Sequence, residues 1–326
     1  MSSAPEVLCI GESMVLFVPA EAGPPDEVRM WKRTIGGAES NVACHLPALG
    51  VPSAWVSAVG DDPFGRALLN EVGATGVDVS SCSVDPSRPT GLYIKESGAE
   101  GSPVRYYRTG SAASGMGPEL LDRLDFDGVR VIHLSGITPA LSDSCLALVR
   151  AVLALPRAGT RVSFDLNFRP RLWTERDPSV LTELAGASDI LLAGDDEAFA
   201  VWGTADPVEL RRLLPGPETL VLKQGARGVT LIEGDAAPVF VPAMRVDVVE
   251  PVGAGDAFAA GFLAATLRGT DPRTRLRSGH LQAAATLRTH DDVGEPLPAA
   301  VVAKLLEADD EVWANARLSD EGVVFA

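Results

Sequence analysis

The chain has 326 residues, 44 of them acidic against 28 basic, for a formal net charge of −16. An excess of negative charge on that scale argues against a nucleic-acid partner or an anionic membrane surface, and it obliges any anionic substrate to find basic residues gathered locally. With 46% hydrophobic residues and no low-complexity block, the length suits one large α/β domain, with or without an accessory piece.

Apolar runs predict strands at 7–10 and 53–59, with a glycine turn and helix over 36–49 between them and a second helix at 63–72. Strands follow at 129–134, 161–167, 190–192 and 219–223, separated by helical spacing at 142–155, 195–201 and 207–214. Segments 229–232 and 239–241 read as a hairpin, and helices close the pattern at 254–267, 272–287 and 298–305. Alternation of this kind implies a mostly parallel sheet covered on both faces. Strand pieces at 90–96 and 104–108 have no helix between them. Together with 13–35 they are expected to form a small β-sheet outside the main one, as a lid requires. The expected division is therefore an α/β domain of 1–12, 36–89 and 109–326, and a lid of 13–35 and 90–108. The tail 309–326, acidic and apolar by turns, is left without a role.

Cys9, Cys44, Cys82 and Cys145 are scattered, without a C-x-x-C pair or zinc-like spacing, which fits reduced thiols in a cytoplasmic protein. Glu12 interrupts the first apolar run, no basic segment precedes it, and no apolar run reaches the ~18–20 residues of a bilayer span; neither a signal peptide nor a membrane helix is expected.

The chemistry concentrates in a few places. Pro251-Val252-Gly253-Ala254-Gly255-Asp256-Ala257-Phe258 runs a small-residue turn into an apolar helix with a carboxylate at its mouth. First-turn N–H groups lack helical partners and carry partial positive charge, so Gly253, Ala254 and Gly255 suit an anion and Asp256 is placed to take a proton from an attacking hydroxyl. Read alone, the stretch also fits an ordinary helix start. Asp165, Asn167 and Arg169 share one face of a strand and its exit, at the end where parallel sheets bind ligands; a self-satisfied buried network is the other reading. Tyr106 and Arg108 share a face, with Tyr93 on the preceding strand piece. Hydroxyls beside a guanidinium suit a polyol or a sugar acid, and a solvated strand is the plainer alternative. Gly36, Gly37 and Asn41 open the first helix, where backbone can approach a ligand. Lys223, Gly225 and Gly228 belong to a glycine turn of the kind that wraps nucleotides. Glu197 is placed to hold a water of a magnesium shell. No G-x-x-x-x-G-K-[ST] loop and no protein-kinase signature occur.

Together these pieces resemble the ribokinase-like, or phosphofructokinase B, family of sugar kinases over residues 6–308. Gly36-Gly37-Ala38 to Asn41 with Gly60-Asp61-Asp62-Pro63-Phe64-Gly65 resembles the family's N-terminal signature, and 250–261 its C-terminal one. Gly11-Glu12, Gly91-Leu92-Tyr93, Tyr106-Tyr107-Arg108, the run 133–141 and Asp165 to Arg169 are similar to the 2-keto-3-deoxygluconate kinase branch. The resemblance implies a Rossmann-like three-layer α/β fold with a small β-sheet lid that dimerises the protein or builds a larger homo-oligomer. It implies ATP-dependent phosphorylation of the sugar acid, with Asp256 as base and the turn Gly253 to Gly255 as anion hole. Gly36, Gly37, Asn41, Tyr93, Tyr106, Arg108 and Arg169 would meet the sugar acid, with Arg169 on its carboxylate. Asn167, Lys223, Gly225, Gly228 and Gln282 would meet ATP, and Glu197 would meet Mg2+ through water. A monovalent cation, K+, is implied by the family but rests on an Asp that is Glu250 here, and the Asn of the family's N-x-x-E motif is Gly194. Two other readings stand beside this one: a fructokinase or other neutral-sugar kinase, and a non-catalytic sugar-acid or nucleotide sensor.

Overall fold

Period-two alternation sorts the central strands onto two faces. In Val7–Ile10, Val7 and Cys9 join one core while Leu8 and Ile10 join the other, and Ile190–Gly194 and Thr219–Lys223 divide in the same way. The structure, a computed structural model, describes residues 4–21, 23–95, 104–319 and 322–324. Its main sheet has eight strands in the order 239–242, 228–233, 219–223, 190–194, 161–165, 131–135, 7–10, 53–56. The six from 53–56 to 219–223 run parallel, and the hairpin strands Gly228–Glu233 and Val239–Pro242 finish one edge antiparallel. Helices Ala38–His45, Ala254–Leu267 and Pro272–Thr286 cover one face; Asp143–Leu153 and Val180–Ala187 cover the other. This is the mostly parallel, three-layer α/β architecture expected from the sequence.

A second sheet of four strands sets Trp31–Gly36 antiparallel to Met14–Pro19, Met14–Pro19 parallel to Leu92–Lys95, and Leu92–Lys95 antiparallel to Val104–Tyr107. Met14, Leu16 and Tyr93 form its own small core. Glu96, counted in the expected strand 90–96, lies outside the described residues.

Several boundaries differ from expectation for local reasons. Pro47 has no N–H to continue the first helix, which stops at His45 and passes into a tighter turn, Pro47–Leu49. The run 53–59 divides at Ser57, whose carbonyl accepts from the Ser83 N–H, and Ala58–Gly60 then pairs with Ser83–Asp85 apart from the main sheet. The strand expected over 161–167 ends at Asp165, and Asn167 adopts φ +37°. The helix Val180–Ala187 went unread, although Leu181, Leu184 and Ala185 carry helical spacing into the core.

The tail also gains a place. Asp310–Asn315 is helical, and Arg317–Ser319 pairs in parallel with Arg245–Val246 and antiparallel with Gly322–Val324. Trp313 anchors it: the ring is buried, its N–H donates to the Pro242 carbonyl at 2.9 Å, and the Arg277 guanidinium lies 4.8 Å from the ring centroid. Trp313→Ala is expected to cost about 3–5 kcal/mol, read as a lower urea midpoint at unchanged m-value; an unaltered midpoint would show that the tail does not belong to the cooperative unit.

Candidate active site

Ligands of open α/β sheets bind beyond the carboxyl ends of the strands, and this sheet aims its reactive side chains there. Glu12 follows Val7–Ile10, Asn167 and Arg169 follow Arg161–Asp165, Glu197 follows Ile190–Gly194, and Lys223 ends its own strand. Two cavities open over these ends. One, of about 360 Å³, lies between the main sheet and the small sheet; the other, of about 800 Å³, lies toward the hairpin and the helix Pro272–Thr286. Glu197, Lys223, Pro251 and Gly255 line both, so the cavities meet at the turn 251–255.

That turn is shaped for an anion. Gly253 caps the helix Ala254–Leu267 with φ +82°, and a Cβ there would stand 2.4 Å from the Asp292 carbonyl oxygen, so both backbone conformation and space require glycine. Gly255 is exposed, and the nearest atom to a Cβ placed on it is the Lys223 ammonium at 3.7 Å. The helix therefore presents its first-turn N–H groups to the seam between the cavities.

Asp256 stands one residue further on, half-buried, and its Oδ2 accepts from the Asn41 amide at 2.8 Å. Burial raises its pKa to about 8, with Asp165 and Asp292 adding to the rise and Asn41 and Lys223 opposing it. Asn41, expected to meet the substrate directly, thus also holds the carboxylate that would act on it. Lys223 donates to Asp165 at 2.6 Å. Burial pulls its pKa down, but Asp165 and Glu197 outweigh that, and the ammonium stays charged.

The smaller cavity collects every residue expected to bind the sugar. Gly36 is needed there, because a Cβ would lie 2.1 Å from the Tyr93 hydroxyl and 2.6 Å from Asp292 Oδ2. Tyr93 stacks on Tyr106 with centroids 5.5 Å apart and donates to Asp292 Oδ2 at 3.4 Å. Gly37, Arg108 and Arg169 complete the wall. Both arginines already face a carboxylate. Arg108 donates from Nε to the buried Glu12 at 2.6 Å, and Glu12 also accepts from the Ser111 hydroxyl. Arg169, half its side chain exposed, lies 3.3 Å from Glu197 Oε1.

Three residues expected on the nucleotide side sit elsewhere. Asn167 lines the smaller cavity, where its buried Oδ1 has no partner among the described residues; the strand's end at Asp165 and the positive φ turn it there. Gln282 faces the helix layer, its amide on His45 Nδ1 at 2.9 Å and the Gly294 carbonyl at 3.4 Å. Gly228 begins the hairpin strand, packed against the Val241 carbonyl and outside the cavity lining. Of the expected nucleotide set, Lys223 and Gly225 do line the larger cavity, whose apolar wall is Val246, Val248, Phe258, Ala284 and Leu287. The tail braces this wall by pairing with Arg245–Val246. Glu197 accepts the Gly194 N–H at 2.9 Å, and burial raises its pKa. Among the described residues no group of three His, Cys, Asp or Glu could hold a metal ion, so a hard cation here would draw most of its oxygens from phosphates and water.

Comparison with known proteins agrees with this geometry. The profile of the pfkB family carbohydrate kinases matches residues 4–300. The chain belongs to that family. This carbohydrate kinase is 35% identical to a 2-dehydro-3-deoxygluconokinase of Bacillus subtilis, over 88% of the chain and 91% of the relative. A solved 2-dehydro-3-deoxygluconokinase from Thermotoga maritima superposes with a TM-score of 0.83 at 26% identity, covering 94% and 99% of the two chains. A sugar kinase from Pyrococcus horikoshii, solved in complex with ATP, gives 0.77 at 26% identity over 88% and 95%.

Reasoning from sequence missed Glu12 as a partner for Arg108, and it missed Asp292 altogether. Asp292 lies in an irregular segment with no periodicity to mark it; the doubled acid Asp291-Asp292 is the only trace.

The raised pKa of Asp256 has a stability consequence. An unfolded Asp titrates near ~4, whereas the folded one titrates at about 8. Between those values the folded state holds a proton that the unfolded state releases, so stability falls as pH rises through the window. Asp256→Asn removes the effect. The ligand-free variant is expected to melt above the parent at pH 8 and level with it below pH ~4; equal melting temperatures at pH 8 would show that the carboxylate is not destabilised by its surroundings.

Proposed function

We propose that this kinase phosphorylates 2-keto-3-deoxygluconate from ATP, giving 2-keto-3-deoxy-6-phosphogluconate and ADP. One observation carries the reaction: a glycine turn and Asp256 at the seam shared by a polar cavity and a larger, more apolar one. The sugar acid occupies the polar cavity and ATP the apolar one, with its terminal phosphate at the turn. Asp256 takes the proton of the attacking hydroxyl while the phosphoryl group passes to that oxygen and ADP leaves. N–H groups of Gly253, Ala254 and Gly255 meet the charge on the phosphoryl oxygens. Asn41 keeps Asp256 aimed, and Lys223 sits beside both cavities as a counter-charge. Magnesium, bound with the nucleotide phosphates, would neutralise part of their charge, and Glu197 is the residue placed to hold it through water.

The choice of a sugar acid rests on Arg169, whose half-exposed guanidinium can exchange a 3.3 Å contact with Glu197 for a substrate carboxylate, and on the names of the relatives. Arg108 supports it less, because Glu12 already answers its charge. That same pairing favours the second reading, a fructokinase or another neutral-sugar kinase, since neither arginine needs a substrate anion. No helix among the described residues is long and apolar enough to cross a membrane. We place the enzyme in the cytoplasm, as a homodimer or higher homo-oligomer joined through the small sheet.

An ADP-release assay with 2-keto-3-deoxygluconate, fructose and ribose separates these readings. Turnover on the acid supports the first, preference for fructose the second, and no turnover on any sugar a non-catalytic sensor. Arg169→Leu is expected to weaken the acid by about 1.5–3 kcal/mol, read as a KM some ten- to hundredfold higher, with fructose unaffected. Equal loss on both sugars would remove the carboxylate role. Asp256→Asn is expected to lower kcat by ~10²–10⁴-fold while sugar binding survives; an unchanged kcat would end its assignment as the base.

A further inference from the structure

Lys95 closes the strand Leu92–Lys95 of the small sheet, yet its ammonium is ion-paired with Glu250, the residue that leads into the anion turn. Both side chains are largely buried, at 10% and 14% exposure. Two further contacts join the same pair of regions. Tyr93, two residues earlier on that strand, donates to Asp292, whose backbone carbonyl packs on Gly253. Lys32, on Trp31–Gly36, is paired with Asp291 at 2.9 Å. The small sheet therefore grips both segments that shape the turn, 250–253 and 291–292.

Charge gives this grip a purpose. Glu250 and Asp292 are two carboxylates beside a turn that must accept a phosphate, with Asp256 a third. Near charges in a partly desolvated site interact strongly, so unanswered carboxylates there would repel the incoming anion. Lys95 answers Glu250 directly, and its charge also draws down the pKa of Asp292, which burial and Glu250 raise to about 6. Arg108 is held by Glu12, and Lys223, which reaches Gly255 on the turn, is already paired with Asp165.

We propose that Lys95 is a positioning residue for phosphoryl transfer: its ammonium is a cation built into the chain that neutralises Glu250 and fastens the small sheet to the anion turn. The inference rests on the kinase reading for its purpose, and its physical content is a coupling between Lys95 and residues 251–255 that exists without turnover.

Lys95→Met, Lys95→Arg and Lys95→Met/Glu250→Gln decide it, with two readouts. In ligand-free protein, amide exchange at 251–255 is expected to quicken about tenfold or more in Lys95→Met and to stay near the parent rate in Lys95→Arg. In the ADP-release assay, Lys95→Met is expected to lose ~10–100-fold in kcat, Lys95→Arg to keep most of it, and the double variant to recover part of the loss because the unanswered carboxylate is gone. Added methylammonium is expected to restore Lys95→Met and to leave the parent unchanged. Unaltered exchange at 251–255 in Lys95→Met overturns the coupling, and a double variant no better than Lys95→Met overturns the electrostatic role. A parent without turnover on any sugar would refute the kinase reading alone, with the exchange data still deciding the coupling. Should Lys95→Met fail to fold, Glu250→Gln carries the same exchange test from the other side of the pair.

Discussion

A chain with sixteen excess negative charges must hold a phosphate, and the rest of the site follows from that conflict. No bound cation is needed to begin resolving it. The first turn of the helix Ala254–Leu267 supplies partial positive charge from backbone alone, and Gly253 lets that turn press against the Asp292 carbonyl. Eleven of the helix's fourteen residues, Ala257 to Leu267, are buried, so the turn stands on a rigid support. A site carried by such an element keeps its donors aimed without reorganising when charge develops.

Around the turn, cations and anions alternate. Asp165 holds Lys223, Glu197 lies beside Arg169, Glu12 holds Arg108, and Glu250 holds Lys95. Each basic group has an internal partner, and the pairs differ in burial. Arg108–Glu12 is nearly sealed, so exchanging its partner would leave a buried carboxylate unanswered, at a cost of several kcal/mol (~3–5 for a broken buried pair). Arg169–Glu197 is half open, and an exposed pair is worth only ~0–1 kcal/mol. In the proposed reaction, a substrate carboxylate would displace the cheaper contact. On that reading burial singles out Arg169 as the recognition group and leaves Arg108 as part of the wall beside Glu12 and Tyr106.

Much of this could be read from the residues, and the failures share one cause. Strand alternation, the anion turn and the shared face of Tyr106 and Arg108 follow from local patterns with fixed periods, and those patterns survive folding; that Arg169 joins them in one cavity was implied by the family resemblance alone. The destinations of Asn167, Gln282 and Gly228 do not. Asn167 turned on a positive φ that ends the period-two rule, and Gln282 on which side of a buried helix faces the cavity when both sides are covered. Arg108 looked free because its partner, Glu12, is 96 residues away, and Lys95 and Glu250 meet across 155. Pairings over such distances leave no mark in a single sequence. The tail was unreadable for a similar reason: its strands are three residues long and gain meaning only beside Arg245–Val246.

In the proposed reaction, the surroundings of Asp256 would make it a stronger base at a small cost. With a pKa of about 8, only roughly a tenth of the carboxylate is ionised at pH 7. That population cost is about 1.4 kcal/mol, whereas general-base catalysis contributes ~10²–10⁴-fold, about 3–5.5 kcal/mol, so a raised pKa still leaves a clear gain. An ordinary Asp near ~4 would be fully ionised but would hold the hydroxyl proton weakly. An arriving phosphate adds negative charge beside Asp256 and strengthens its hold on the proton at the moment the hydroxyl must give it up. The same crowding of carboxylates that Lys95 and Lys223 have to contain is thus what would make Asp256 a competent base in the proposed reaction.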